Sequence, residues 1–184
     1  TIDIDIQKKF YSFLQSGVKK AGAVGGAGII EDVETGEIIA MVTYPSYDNN
    51  LFVGGISTKE YSKLLNNKNL PLINRSISVQ MPPGSTFKSL VAPAALDAGA
   101  ITRNTIYVSR YGYTFSNGAP FQEFQNHAYG ALNVVGAIAQ SSNIFFCELI
   151  RNWDINKLDP YLEKFGIGKY TGIDVPGEVP GRLP

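Results

Sequence analysis

Apolar residues recur at the three- to four-residue spacing of an amphipathic helix in several stretches of the chain. They predict single helices over 6–20, about 57–65, about 85–98 and about 156–165, and two helices within about 134–151 with Ser141 and Asn143 in the joint between them. Ser57 and Glu60 form a capping box at the start of the second helix, and Asn156 is the predicted cap of the last. Gly99 ends the helix over about 85–98. Helices therefore account for much of the chain.

Strand-like segments alternate with these helices. Residues 28–32 and 37–44 are rich in Ile, Val and Met, and Gly36 supplies the turn between them, so we predict a β-hairpin over about 28–44. The glycine-rich run before it lacks the spacing of a phosphate-binding loop and is interpreted as a plain loop. Residues 100–130 carry many aromatic side chains in irregular strands and loops, which either line a groove or pack internally. The fold class is α+β.

Composition narrows the possible functions. With 184 residues, 44% of them apolar, the chain can bury a sizeable core, and one domain over 1–184 is expected. Sixteen basic and sixteen acidic residues balance, so no nucleic-acid partner is predicted. No apolar run approaches the ~20 residues of a membrane span. The first residue is Thr1 rather than Met, so we expect any membrane anchor to lie outside this sequence.

The segment from Pro82 to Lys88 holds the strongest chemical signal. Two prolines and a glycine predict a rigid turn that places Ser85 at a helix start, with Lys88 three residues on and on the same face. A serine needs a base to become a nucleophile, and a lysine can act as one if its surroundings favour the neutral amine. Free backbone N–H groups of the first helical turn are candidates to hold a developing oxyanion.

The bare Ser-x-x-Lys pattern is weak on its own. Ser16 and Lys19 form a second match in what is predicted to be a surface helix, without a proline turn before it. Only the surrounding sequence can separate a reactive pair from a solvated one.

That surrounding sequence resembles the penicillin-binding transpeptidases. Pro82 to Lys88 is similar to their active-serine motif, and Ser141-Ser142-Asn143, which begins 53 residues after Lys88, is similar to their Ser-x-Asn motif. Further similar segments are Thr1–Gln7, Glu34–Val42, Pro71–Arg75 and Thr171–Glu178. Residues 50–61 are most like the class B, elongation-type members. The resemblance implies an incomplete penicillin-binding protein and serine β-lactamase-like fold, in which a helical subdomain accompanies the first hairpin of an antiparallel sheet.

The resemblance also implies an activity and roles for residues. It implies a D,D-transpeptidase of bacterial cell-wall synthesis in which Ser85 attacks a D-Ala-D-Ala stem peptide, Lys88 takes its proton, Ser141 relays a proton and Asn143 orients Lys88 or the substrate. An acceptor amine, β-lactam antibiotics and a membrane-embedded glycosyltransferase of the elongation machinery are the implied partners, at the periplasmic face of the inner membrane. No cofactor and no metal are implied.

Alternatives remain open at this stage. A class D-like β-lactamase or β-lactam sensor can carry the same serine motif. A Ser-His-Asp hydrolase would have to use His127. A metal site would have to combine His127 and Cys147 with acidic residues, and these show no known ligand spacing. The family's Lys-Thr-Gly motif is absent from these 184 residues. We therefore expect the chain alone to be a catalytically incompetent fragment, and expect a further C-terminal segment of the same domain to pair beside residues 37–44.

Overall fold

The computed structural model describes residues 2–183, so the predicted features at Thr1 and Pro184 lie outside the described residues. The residues group into two compact units. The first runs to Gln80 and includes Ile173–Val179, and the second comprises Met81–Gly172 and the residues from Pro180 onward. Both units lie within the single partial domain that the sequence predicts over 1–184. The extent of that domain stays a prediction. Across residues 2–183, no helix has the length and apolar character needed to cross a membrane.

The first unit is built on one helix and one hairpin. Its elements are α1 (Ile4–Lys20), β1 (Gly26–Glu31), β2 (Ile38–Tyr44), α2 (Thr58–Leu65) and α3 (Arg75–Ser78). The two strands pair antiparallel, with Gly28 opposite Val42, and Gly36 takes the left-handed φ of +75° that the turn requires. The predicted hairpin is therefore present, although β1 begins two residues earlier than the sequence indicates.

Glycines on β1 allow α1 to lie directly on the sheet. A Cβ at Gly26 would lie 2.9 Å from Val18 of α1, and one at Gly28 would overlap the Phe10 ring. The glycine-rich run predicted to be only a loop thus supplies two strand positions that a larger residue could not fill.

The outer edge of β2 is occupied by α1, which corrects one prediction. The Gln7 side chain donates to Met41 O (2.5 Å) and accepts from Met41 N (2.8 Å), and Asp3 N donates to Ile39 O (2.9 Å). A sheet edge whose backbone groups are already bonded cannot accept another strand. A further strand would therefore have to pair with β1, not beside residues 37–44 as predicted.

The second unit contains the remaining helices and two short strand pairs. Its elements are α4 (Lys88–Asp97), β3 (Tyr107–Ser109), β4 (Tyr113–Thr114), β5 (Pro120–Phe121), β6 (Gly130–Leu132), α5 (Val134–Ala139), α6 (Asn143–Asn152) and α7 (Asp159–Lys164). β3 pairs with β6 and β4 with β5, both antiparallel.

The core of this unit lies among the helices. Small residues of α4 and α5, including Ala95 and Ala137, are fully buried and let these helices approach closely, and Phe145 and Leu149 of α6 fill the space between. This packing fixes the positions of α4 and α6.

Two helix boundaries differ from the predictions. The predicted helix over about 85–98 divides into a 3₁₀ turn, Gly84–Phe87, and α4. Asn156 does not cap the last helix: Asp154 accepts from the Asn156 backbone N–H and caps a separate 3₁₀ turn, Ile155–Lys157, and α7 begins only at Asp159 without a side-chain cap. A short aspartate side chain competes well for such N–H groups, which explains the shift.

Candidate active site

The first part of the site is the 3₁₀ turn that carries Ser85. Gly84, at φ +61°, adopts the left-handed conformation that glycine alone takes without strain, and it directs the chain into the turn. The backbone N–H of Lys88 donates to the carbonyl oxygens of Ser85 and Thr86. Because residues i and i+3 eclipse one another in a 3₁₀ helix, Ser85 and Lys88 lie on the same side of the chain.

The second part is the joint between α5 and α6. Ser142 N donates to Ala137 O and Ser141 N to Ile138 O, which is the Schellman arrangement that closes a helix. Its left-handed position, usually glycine, is here Ser141 at φ +52°. Ser142 then caps α6 by accepting from Phe145 N (3.1 Å). Ser141 thus ends α5 and Ser142 begins α6, so the Ser141 side chain is held in a strained, fixed position.

Lys88 connects the two parts. Its Nζ lies 2.6 Å from Ser141 O, 2.6 Å from Asn143 Oδ1 and 3.3 Å from Ser141 Oγ, and 5.8 Å from the centre of the Phe146 ring. These three hydrogen bonds match the three donors of an ammonium. Among residues 2–183, no hydrogen bond joins Lys88 to Ser85.

Burial makes the Lys88 amine easier to deprotonate than an exposed lysine. Burial lowers the pKa of the Lys88 amine below its usual value, while the Glu123 carboxylate and, to a smaller extent, the Cys147 side chain act in the opposite direction. A lysine with a lowered pKa is a better base near neutral pH than an exposed lysine.

A cavity of about 660 Å³ opens onto these residues. Ser85, Lys88 and Asn143 line it together, and its other walls are mostly apolar and aromatic: Phe115, Phe121, Phe146, Ile150 and Leu158 are among them. The structure therefore places three of the four sequence-predicted residues on one cavity and bonds the fourth, Ser141, to Lys88. The aromatic segment serves both predicted purposes, since Phe121 lines the cavity and Tyr107 packs edge-on against the buried Phe145.

Glu123 is a site residue that the sequence reasoning missed. Its carboxylate is buried, with 2% of the residue exposed, and it accepts from Asn143 N at 2.6 Å and Ser142 Oγ at 2.5 Å. The one sequence signal was an acidic residue between Phe121 and Phe124, in a segment otherwise aromatic and uncharged. Acidic residues are rarely buried without a partner, but the partner here lies 20 residues further along the chain.

His127 and Cys147 have different surroundings. His127 is exposed and packs edge-on against Tyr129, whereas Cys147 lines the cavity beside Lys88, where burial raises the pKa of its thiol. In the described part of the chain, no three His, Cys, Asp or Glu residues come together as metal ligands would.

The sequence matches the penicillin binding protein transpeptidase domain over residues 26–184. The chain belongs to this family. It is 38% identical over 185 aligned residues to the peptidoglycan D,D-transpeptidase MrdA of Escherichia coli K12, covering 100% of this chain and 28% of that protein. The class D-like β-lactamase considered from the sequence is not favoured by these matches.

Solved structures agree with the fold expected from the family. The penicillin-binding protein PBP2 of Helicobacter pylori superimposes with a TM-score of 0.89 at 30% identity, covering 100% of this chain and 34% of that one. A complex between PBP2 and MreC from the same organism superimposes with a TM-score of 0.80 at 32% identity, covering 94% of this chain and 32% of that one. The predicted penicillin-binding transpeptidase fold is confirmed. The chain spans under a third of the length of the E. coli relative.

Proposed function

We propose that the protein is a peptidoglycan D,D-transpeptidase that works through an acyl-enzyme on Ser85. The observation that supports this most directly is the bonding of Lys88 Nζ to Ser141 and Asn143 on the cavity that Ser85 also lines. A nucleophile, a base and a group that returns the proton to the leaving amine are what acyl transfer from an amide requires.

In the proposed reaction Ser85 Oγ attacks the carbonyl carbon of the penultimate D-alanine. A neutral Lys88 amine has two N–H donors and one lone pair. Ser141 O and Asn143 Oδ1 can only accept, so they take the two donors and leave the lone pair free to remove the Ser85 proton. The base is thus oriented by two groups that cannot themselves compete for the proton.

Ser141 returns the proton to the leaving group. Its hydroxyl lies 3.3 Å from Lys88 Nζ and can both accept from the resulting ammonium and donate to the amine of the departing D-alanine. The amine of a second stem peptide then attacks the acyl-enzyme ester, releases Ser85 and forms the cross-link. β-Lactams, which resemble the D-Ala-D-Ala end, acylate the same serine.

The proposed setting is cell-wall synthesis during elongation, and hence the control of cell shape, at the periplasmic face of a bacterial inner membrane. The likeness to MrdA and to the PBP2 that was solved with MreC supports this setting. A membrane-embedded glycosyltransferase is the proposed source of the glycan strands that are cross-linked. That residues 1–184 need a Lys-Thr-Gly strand for useful reaction with penicillin stays a prediction.

The test is labelling of the full-length protein with a fluorescent penicillin, followed by peptide mapping and by turnover measurements. We expect one long-lived label on Ser85 and release of D-alanine from a stem peptide when an acceptor amine is present. Rapid hydrolysis of the β-lactam would instead indicate a β-lactamase, and label on any other residue would exclude the proposed nucleophile.

A further inference from the structure

Glu123 is surrounded by hydrogen-bond donors from two segments of the second unit, β3 and the start of α6. Besides Asn143 N and Ser142 Oγ, its carboxylate accepts from Ser109 Oγ at 2.9 Å and Ile144 N at 3.2 Å. A buried carboxylate is costly unless its oxygens are bonded, and the positive end of the α6 dipole favours a negative charge there. Four donors and a helix terminus therefore stabilise this group in one position.

The same contacts fix the backbone that carries the proposed motif. The Glu123 carboxylate accepts from the backbone N–H groups of Asn143 and Ile144, which flank the Asn143 Cα. It also accepts from the hydroxyl of Ser142, the residue directly after Ser141. The neighbouring Gln122 O accepts from Asn143 Nδ2 at 3.4 Å, so Oδ1 of that amide faces Lys88. Two consecutive residues of one loop thus set both the backbone and the side-chain orientation of Asn143.

Glu123 also acts on Lys88 through its charge. The titratable groups that affect Lys88 are Glu123, from the loop after β5, and Cys147, from α6. A negative charge favours the ammonium and partly offsets the effect of burial on the pKa of Lys88.

We propose that Glu123 is a positioning residue for the acyl-transfer site, whose carboxylate holds the Ser141–Asn143 turn against Lys88. The proposal rests on the proposed function of that site. Glu123 does not touch the cavity where substrate would bind, so it acts through Lys88, Ser141 and Asn143 rather than on the reacting atoms.

Two substitutions separate the geometry from the charge. Glu123→Gln replaces one acceptor oxygen with an NH₂ group that cannot bond a backbone N–H, and it removes the charge. We expect the plateau acylation rate to fall about 100-fold, the loss typical of a ~1 Å misplacement. The acidic limb of the pH profile should also move to lower pH, because loss of the negative charge lowers the pKa of Lys88. Glu123→Asp keeps the charge on a shorter side chain, so the rate should fall while the acidic limb stays in place.

Glu148→Gln is the matched control. It removes the same charge from α6, where Glu148 pairs with Arg151 at 3.5 Å, and should leave both the rate and the acidic limb as in the wild type. The rates are measured with a fluorescent penicillin on the full-length protein, corrected for the folded fraction by thermal melts. Equal folded-state rates and an unmoved acidic limb in both Glu123 variants would overturn the proposal. If Glu123→Gln does not fold, a wild-type rate in Glu123→Asp overturns it.

A direct titration separates this proposal from the proposed function. In protein labelled with ¹³C-lysine, the Cε resonance of Lys88 reports its protonation by NMR whether or not Ser85 is acylated. We expect the Lys88 midpoint to move to lower pH in Glu123→Gln and to stay in Glu148→Gln. If Ser85 is not labelled by penicillin but the Lys88 midpoint shifts in Glu123→Gln, only the acyl-transfer function is contradicted. If the Lys88 midpoint does not shift in Glu123→Gln, the role of Glu123 is contradicted.

Discussion

The chain contains two Ser-x-x-Lys sequences, and only one of them is part of a site. Ser16 and Lys19 lie on the exposed side of α1, with Val18 between them buried towards the hairpin. Within residues 2–183, no hydrogen bond or ion pair is found for the Lys19 amine. Lys88 is instead bonded to groups 53 and 55 residues away.

The difference shows what spacing alone can and cannot do. In both cases helical geometry brings a serine and a lysine to one face. A solvated lysine keeps its charge, so proximity does not make it a base. At Lys88, burial lowers the pKa of the amine, and two acceptor-only partners from outside the local segment fix its direction.

The largest expected effect comes from removing the nucleophile. Ser85→Ala should abolish covalent labelling by a fluorescent penicillin, whereas Ser16→Ala should label like the wild type. Gel fluorescence and intact mass spectrometry of the full-length protein measure both. Residual label on a folded Ser85→Ala protein would mean that another residue is acylated.

The second largest decrease in acylation is expected from replacing the base, Lys88. Lys88→Arg keeps a positive charge but cannot supply a neutral amine, so acylation should fall by about 10⁴-fold, the upper end of the range for general base catalysis. Lys19→Arg is the matched control and should have no effect on the rate. A folded Lys88→Arg protein that is acylated near the wild-type rate would show that Lys88 is only a structural cation.

The pH dependence should reflect the same group. Because the pKa of Lys88 is lowered, its neutral form persists to lower pH than that of an exposed lysine. The acylation rate should fall as the pH drops through this pKa, and the fall should be absent from the residual rate of Lys88→Arg. Stopped-flow measurements with a chromogenic β-lactam across the pH range test this, and a rate independent of pH would argue against Lys88 as the base.

A smaller effect is expected at Ser141. Ser141→Ala removes the hydroxyl but leaves Ser141 O and Asn143 Oδ1 bonded to Lys88, so the base stays oriented and only proton return is lost. We expect a decrease of about 10²-fold, the lower end of the range for a general acid. A loss as large as that of Lys88→Arg would show that the hydroxyl, rather than the two acceptors, orients the amine.

Local signals explain which features could be predicted. The cap at Ser57 and the turn at Gly36 are set by residues one to three positions away, and both appear as predicted. The Gln7 side chain on Met41 and the Glu123 carboxylate on Asn143 join residues 34 and 20 positions apart. No periodicity or motif in a single sequence records such pairs, so the β2 edge was assigned wrongly and Glu123 was missed.

The smallest effect concerns the left-handed positions that end α4 and α5. Both helices close with the same Schellman bonds, but α4 has Gly99 at φ +69° where α5 has Ser141 at φ +52°. A non-glycine residue in this conformation costs about 1–2 kcal/mol. Ser141→Gly should therefore stabilise the protein by about 1 kcal/mol while losing the hydroxyl, and its acylation rate should match that of Ser141→Ala.

The reverse change provides the control. A Cβ at Gly99 meets no atom within 4 Å, so Gly99→Ser should destabilise the protein by about 1 kcal/mol through backbone strain alone, with no loss of acylation by the folded protein. Urea unfolding of the full-length variants measures both shifts. If Ser141→Gly is no more stable than Ser141→Ala, the left-handed turn is not strained, and the position of the Ser141 hydroxyl does not depend on stored backbone energy.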